Sequence, residues 1–165
     1  MKTEIERFNP CEDALEFRKK YKTFRGAWNN CPRGDWMLWI AKRVGIDIRT
    51  LTLAKGYCAK TVIHLMKYQR SKDAVKAAID FGRGKIDEGQ LRNASDAADA
   101  AYAAAYAAYS AANAAANANA NAAYAAAYAF NAAYAAAARI KNQKATADIC
   151  RKYLTKSVME KIKSL

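Results

Sequence analysis

The chain has 165 residues, 53% hydrophobic and 26% charged, and its 28 Lys/Arg against 15 Asp/Glu give a formal net charge of +13. That length suits one domain able to bury a real core. Two prolines, seven glycines and no alternating β-branched runs exclude a β architecture and point to an all-α, single-domain helical bundle.

From the N-terminus, Asn9-Pro10-Cys11-Glu12 reads as a helix start: Asn9 as cap, Pro10 in the first helical position, Glu12 completing a capping box. Ala14, Leu15, Phe17 and Tyr21 supply its apolar face. Thr23 caps a second helix, in which Phe24, Ala27, Trp28 and Cys31 fall at i, i+3, i+4 and i+7. Pro32-Arg33-Gly34 breaks it. Asp35 caps a third helix, Trp36 to Val44, ended by Gly45. Trp36, Leu38, Trp39 and Ile40 cover most of its circumference, so it is expected to be largely buried. Asp47 caps a fourth, with Ile48, Leu51, Ala54, Cys58, Val62, Leu65 and Met66 on one face. Ser71 caps a fifth, with Val75, Ala78, Ile79 and Phe81 inward. A turn at Gly82-Arg83-Gly84-Lys85 follows, then a second capping box, Asp87 with Gln90.

That box leads into an Ala/Tyr/Asn tract, 29 alanines among the 45 residues 94–138. Its larger residues recur about 3.5 positions apart, a near-heptad helical stripe that a disordered segment has no reason to keep. Alanine is also the best helix former. A single helix of about 50 residues would reach roughly 75 Å, so the spacing predicts a hairpin: helices over about 88–116 and 121–144, turning near Asn117-Asn121. A further helical segment is expected at 145–154, closing a bundle over residues 1–154. A basic helical tail, 155–165, carries Val158, Met159 and Ile162. Tyr102, Tyr106, Tyr109, Tyr124, Tyr128 and Tyr134 are the candidate protein interface, because tyrosine is enriched at binding hot spots. Ahead of that stands the plainer reading, in which the tyrosines pack on the N-terminal helices and fill the gaps that alanine leaves.

Charge is uneven along the chain. Residues 1–92 carry 20 Lys/Arg and 11 Asp/Glu, 93–138 only Asp96 and Asp99, and 139–165 eight Lys/Arg against two acidic residues. Basic flanks around a neutral middle favour an anionic partner: nucleic acid, a nucleotide, or an acidic protein surface. The candidate anion-binding residues are Arg83, Lys85, Arg139, Lys141 and Lys144. Cys11, Cys31, Cys58 and Cys150 form no CxxC pair and His64 is the single histidine, so no metal site is expected. The cysteines read as reduced and mostly buried. No paired carboxylates or nucleophile–base constellation stand out, and Gly82–Lys85 lacks both P-loop spacing and a preceding strand. Residues 35–68 share the layout of a helix-turn-helix, but the second helix has a core pattern. The expectation is a non-enzymatic protein without a cofactor. A charged start without a signal peptide, and a tract of Ala, Asn and Tyr unsuited to lipid, point to a soluble, cytoplasmic chain.

Several segments together carry a resemblance: Ala27-Trp28-Asn29-Asn30-Cys31-Pro32-Arg33-Gly34-Asp35-Trp36-Met37-Leu38-Trp39, then Leu53-Ala54 with Tyr57-Cys58-Ala59, then Ala74 through Lys85, then the Ala/Tyr tract. Over residues 20–152 the chain resembles small phage and prophage proteins that share a helical domain with Imm-5-like immunity proteins. The resemblance implies a binding partner rather than a reaction, since such immunity proteins neutralise a toxin by binding it. It implies a packing cluster of Trp28, Cys31, Asp35, Trp36 and Trp39, and brings no catalytic residues. The asparagine-rich 113–121 stretch departs from it. The leading expectation is a phage-type accessory protein, in the cytoplasm of a bacterial host, that binds and neutralises a host protein such as a toxin or defence effector. The alternative is a basic binder of nucleic acid or of an anionic nucleotide signal. A third is a self-assembling, virion-associated helical protein.

Overall fold

Helices account for all the regular structure in the computed structural model, which describes residues 3–66, 68–97 and 121–165, with side chains over 3–66, 68–97 and 138–165. A 3-10 turn at Glu6–Phe8 precedes α1 (Glu12–Lys19), α2 (Phe24–Asn30), α3 (Gly34–Arg43) and α4 (Ile48–Lys60). A second 3-10 turn, Ile63–Leu65, leads to α5 (Gln69–Gly82), a helical stretch over 88–97 (α6) and α7 (Asn121–Lys163). The all-α expectation holds.

The core forms where α7 lies against α3 and α4. Ala147, Cys150, Leu154 and Val158 recur every three or four residues along α7 and are 0% exposed. They pack with Trp28, Met37, Ile40, Ala41, Leu51, Ala54 and Cys58. Burying a side chain the size of Leu154 or Val158 contributes about 1.5–3 kcal/mol. Gly34, at the start of α3, permits the closest approach: a Cβ there would lie 2.3 Å from Thr146 Oγ1 and 2.6 Å from the Thr146 carbonyl carbon. Two polar contacts tie α2 and its exit to the same helix. Trp28 Nε1 donates to Thr155 Oγ1 at 2.8 Å, and Arg151 Nη1 donates to the Cys31 carbonyl at 2.8 Å.

The expected boundary after residue 144 is absent. α7 runs unbroken from Asn121 to Lys163, about 65 Å at the usual helical rise. The reason is local: no glycine or proline interrupts 121–163, and the buried face continues through Thr146 and Ala147 into Val158 and Met159. Residues 155–163 thus belong to this helix and add to the core. The expected turn near Asn117-Asn121, and the helix expected up to residue 116, lie outside the described residues beyond 97.

Three of the capping expectations hold. Thr23 accepts from the Gly26 N–H at 3.0 Å and Asp47 from the Thr50 N–H at 2.9 Å. Asp87 and Gln90 satisfy each other's backbone at 2.8 and 3.0 Å, opening α6. Three others differ. Asn9 takes a left-handed conformation (φ 51°) and ends the first 3-10 turn, so α1 starts after Cys11 without a side-chain cap. Asp35 sits inside the first turn of α3, held by Arg33 through bonds of 2.8 and 2.6 Å. Ser71 lies within α5, which begins at Gln69 after Tyr68.

Two faces also differ from expectation. In α3 the fully buried positions are Met37, Ile40 and Ala41, while Trp36, Leu38 and Trp39 are half-buried. In the fourth helix the apolar stripe loses its direction after Lys60. There the Thr61 hydroxyl donates to the Cys58 carbonyl at 2.7 Å, drawing the chain out of the helix. Leu65 is consequently 68% exposed, and Ile48 at the other end is 63% exposed. Arg18, expected on no apolar face, is buried, its guanidinium bonded twice over to Glu4 and to the Tyr21 carbonyl.

Asp47→Ala is expected to cost about 1 kcal/mol, read as a lower urea midpoint. Bonds from Thr50 hold the Asp47 carboxyl below the usual carboxylate range. Its contribution is therefore full at neutral pH and is lost as pH falls through its folded-state pKa. Asp47→Asn keeps an acceptor and flattens that pH dependence.

Candidate anion-binding groove

α4 and α5 are drawn together by two glycines. A Cβ on Gly56 would sit 2.8 Å from Ile79 Cγ1, and one on Gly82 would sit 2.5 Å from Leu53 Cβ. Val75, Ile79 and Phe81 fill the contact. Arg49 of α4 secures the far end: its guanidinium lies 4.4 Å over the Phe81 ring and donates to the Phe81 carbonyl at 2.7 Å. A carbonyl at the end of α5 is thereby satisfied, and Arg49 is spoken for structurally.

Beyond the point where α4 ends, the two elements leave a groove of about 480 Å³. Ligand sites commonly occupy about 300–1,000 Å³. One wall is a face of α5 with Gln69, Lys72, Asp73, Lys76 and Asp80, and Arg83 just past its end. Lys60 and Ile63 form the other, and Lys85 closes one end. Five cations thus share the space with two carboxylates, and both carboxylates have partners. Asp73 accepts from the Gln69 amide at 2.8 Å, and Asp80 faces Lys85 at 3.9 Å. Lys60, Lys76, Arg83 and Lys85 are exposed and Lys72 is half-buried, so their charge stays available to a ligand.

Arg83 links the groove to an aromatic pair outside its lining. Arg83 Nη2 donates to the Tyr57 hydroxyl, and Tyr57 stacks on Tyr153 of α7 with ring centroids 4.7 Å apart and planes 9° from parallel. Lys152 Nζ lies 5.5 Å over the Tyr153 ring. The neighbouring Tyr153 hydroxyl, reinforced by the charge of Arg83, holds the Tyr57 phenol below its ordinary range. Burial and Tyr57 push Tyr153 the other way. The arrangement provides positive charge beside a flat aromatic edge.

Of the residues expected from sequence, Arg83 and Lys85 are in this groove. Arg139, Lys141 and Lys144 are exposed on α7 and do not line it. That segment is nevertheless anchored to the same end of α4, where Asn142 Nδ2 donates to Thr61 Oγ1 at 2.8 Å, next to Lys60. Tyr102, Tyr106 and Tyr109 lie outside the described residues. Tyr124, Tyr128 and Tyr134 lie on the helical backbone of α7, but their side chains are outside the described set. Lys60, Lys72 and Lys76 were not singled out by sequence. The four-residue step from Lys72 to Lys76 was the available signal.

Elsewhere among the described residues the chemistry is sparse. No group of three or more His, Cys, Asp or Glu is gathered as a metal site, and no helix is long and apolar enough to cross a membrane. An apolar crevice of about 50 Å³ beside Trp28, Met37 and Ile40 belongs to the core packing. Cys31, Cys58 and Cys150 are buried free thiols. The neighbouring Cys58 thiol, together with burial, pushes the Cys150 thiol far above its ordinary range, which suits an inert core group. No family of known proteins, no curated protein and no solved structure matches the chain.

Proposed function

We propose that the protein acts by stoichiometric binding rather than catalysis, and that it captures an anionic ligand, nucleic acid or nucleotide, in the groove between the end of α4 and α5. The observation that carries this reading is the gathering of Lys60, Lys72, Lys76, Arg83 and Lys85 around one concave space whose two carboxylates are already engaged. The groove offers no histidine, cysteine or unpaired carboxylate to move a proton or attack a bond. The test is purification from a bacterial lysate at low salt without nuclease. Wild-type protein carries nucleic acid, seen as excess absorbance at 260 nm. Lys72→Glu/Lys76→Glu loses it, whereas Lys20→Glu/Lys22→Glu, an equal charge change on exposed residues outside the groove, keeps it. Equal loss in both variants assigns retention to net charge and overturns the groove.

The second reading is a phage-type protein that neutralises a host protein. Exposed apolar side chains favour it: Leu65 and Ile140 at 68% and Tyr68 at 47%. Leu65 and Tyr68 follow the end of α4, and Ile140 is two residues from the Asn142 bond to Thr61. A single host protein recovered in equimolar amount, with no nucleic acid, supports this reading over the first.

A further inference from the structure

We infer that the groove takes a single strand of nucleic acid, laid along α5 with a base against the Tyr57–Tyr153 pair, rather than a compact anion held at one point. This rests on the anion-binding reading above and specifies its ligand.

The charge of the groove is spread along a line. Lys72 and Lys76 stand one turn apart, about 6 Å along the helix axis, and Arg83 lies roughly 10 Å farther on. The groove-lining stretch, residues 69–83, extends about 21 Å. A phosphate or triphosphate needs cations converging on one centre. A chain of phosphodiesters needs them in a line, as they are here. The second feature is the aromatic edge. Grooves for single strands combine a cationic track with aromatic side chains on which bases stack, and Arg adds a cation–π contribution. Here Arg83 belongs to both: it lines the groove and donates to the Tyr57 hydroxyl, with its guanidinium carbon 5.7 Å over the Tyr57 ring. Tyr57 is three residues before Lys60, so the aromatic edge and the opposite wall come from one turn of α4. The third feature is shape. The space is concave, about 480 Å³, with α5 along one side and Lys60 and Ile63 on the other. An acidic peptide would meet the lysines but leave the tyrosine pair without a role.

The experiment is fluorescence anisotropy with a labelled oligothymidylate of about 12 nucleotides, within the site sizes of single-strand binders. Competitors are the matching duplex, inorganic triphosphate, and an oligoglutamate of equal length. The strand is expected to bind at least about tenfold tighter than each competitor. Tyr57→Ala weakens the strand by about tenfold, while Tyr57→Phe, which keeps the ring, stays within about threefold, provided both retain wild-type helicity by circular dichroism. Triphosphate binding as tightly as the strand preserves anion capture but overturns the extended ligand. Equal binding of oligoglutamate, or an unchanged affinity in Tyr57→Ala, overturns the nucleic-acid assignment. Binding of none of these probes ends both readings.

Discussion

Gly34→Ala is expected to destabilise the protein by about 3 kcal/mol, the upper part of the usual range for overpacking. A methyl group at this position would meet Thr146 Oγ1 at 2.3 Å, the Thr146 carbonyl carbon at 2.6 Å and the Ala147 nitrogen at 2.7 Å. Two of those atoms are backbone, so no rotamer change relieves the contact. α3 and α7 would have to separate where Thr146 and Ala147 are buried, and the contact from Cys150 Sγ to the Gly34 carbonyl, 3.6 Å, would open with them. Gly45→Ala provides the contrast. Gly45 has φ +73°, but a methyl group there would meet no atom within 4 Å. Its cost is therefore confined to the left-handed backbone, about 1–2 kcal/mol. Urea denaturation of both variants separates the effects. A Gly34→Ala protein as stable as wild type would mean that α3 and α7 do not meet in this way.

Lys72→Glu/Lys76→Glu carries the second large effect, a loss of about a hundredfold in affinity for a single-stranded oligonucleotide at low salt. Two attractive contacts become two repulsive ones, reversing the sign of the groove's net charge. Lys76 is exposed and Lys72 half-buried, so the fold is expected to persist. Thermal unfolding within a few degrees of wild type would separate lost binding from lost structure. Retained affinity would place the anion elsewhere, with Arg139, Lys141 and Lys144 the next segment to alter.

Much of the fold was legible because its information is local. The spacing of Phe24, Ala27, Trp28 and Cys31 marks a buried face, as does that of Leu51, Ala54 and Cys58. Thr23, Asp47 and Asp87 cap helices because no neighbouring charge competes for their oxygens. Asp35 fails as a cap because Arg33, two residues earlier, claims its carboxylate. The continuity of α7 was not legible by the same means: compactness argues for a boundary, whereas the sequence between Ala145 and Leu154 contains nothing to stop a helix. The groove was only half legible. Arg83 and Lys85 stand out beside a glycine turn. Lys60 joins Lys72 and Lys76 only through tertiary packing, made possible by Gly56 and Gly82. Likewise, the Tyr57–Tyr153 pair joins residues far apart in the chain. The alanine tract stands out by composition, while the described chemistry lies in the helical segments on either side of it.

The salt dependence of single-strand binding is the most direct probe of anion capture by this groove. Affinity of wild type and of Lys72→Glu/Lys76→Glu would be measured across a salt series. Occupation of a groove with four or five cations gives a log–log slope of about −3 for a single strand, falling to about half that in the variant. A slope near zero in wild type, or the same slope in both proteins, would contradict it.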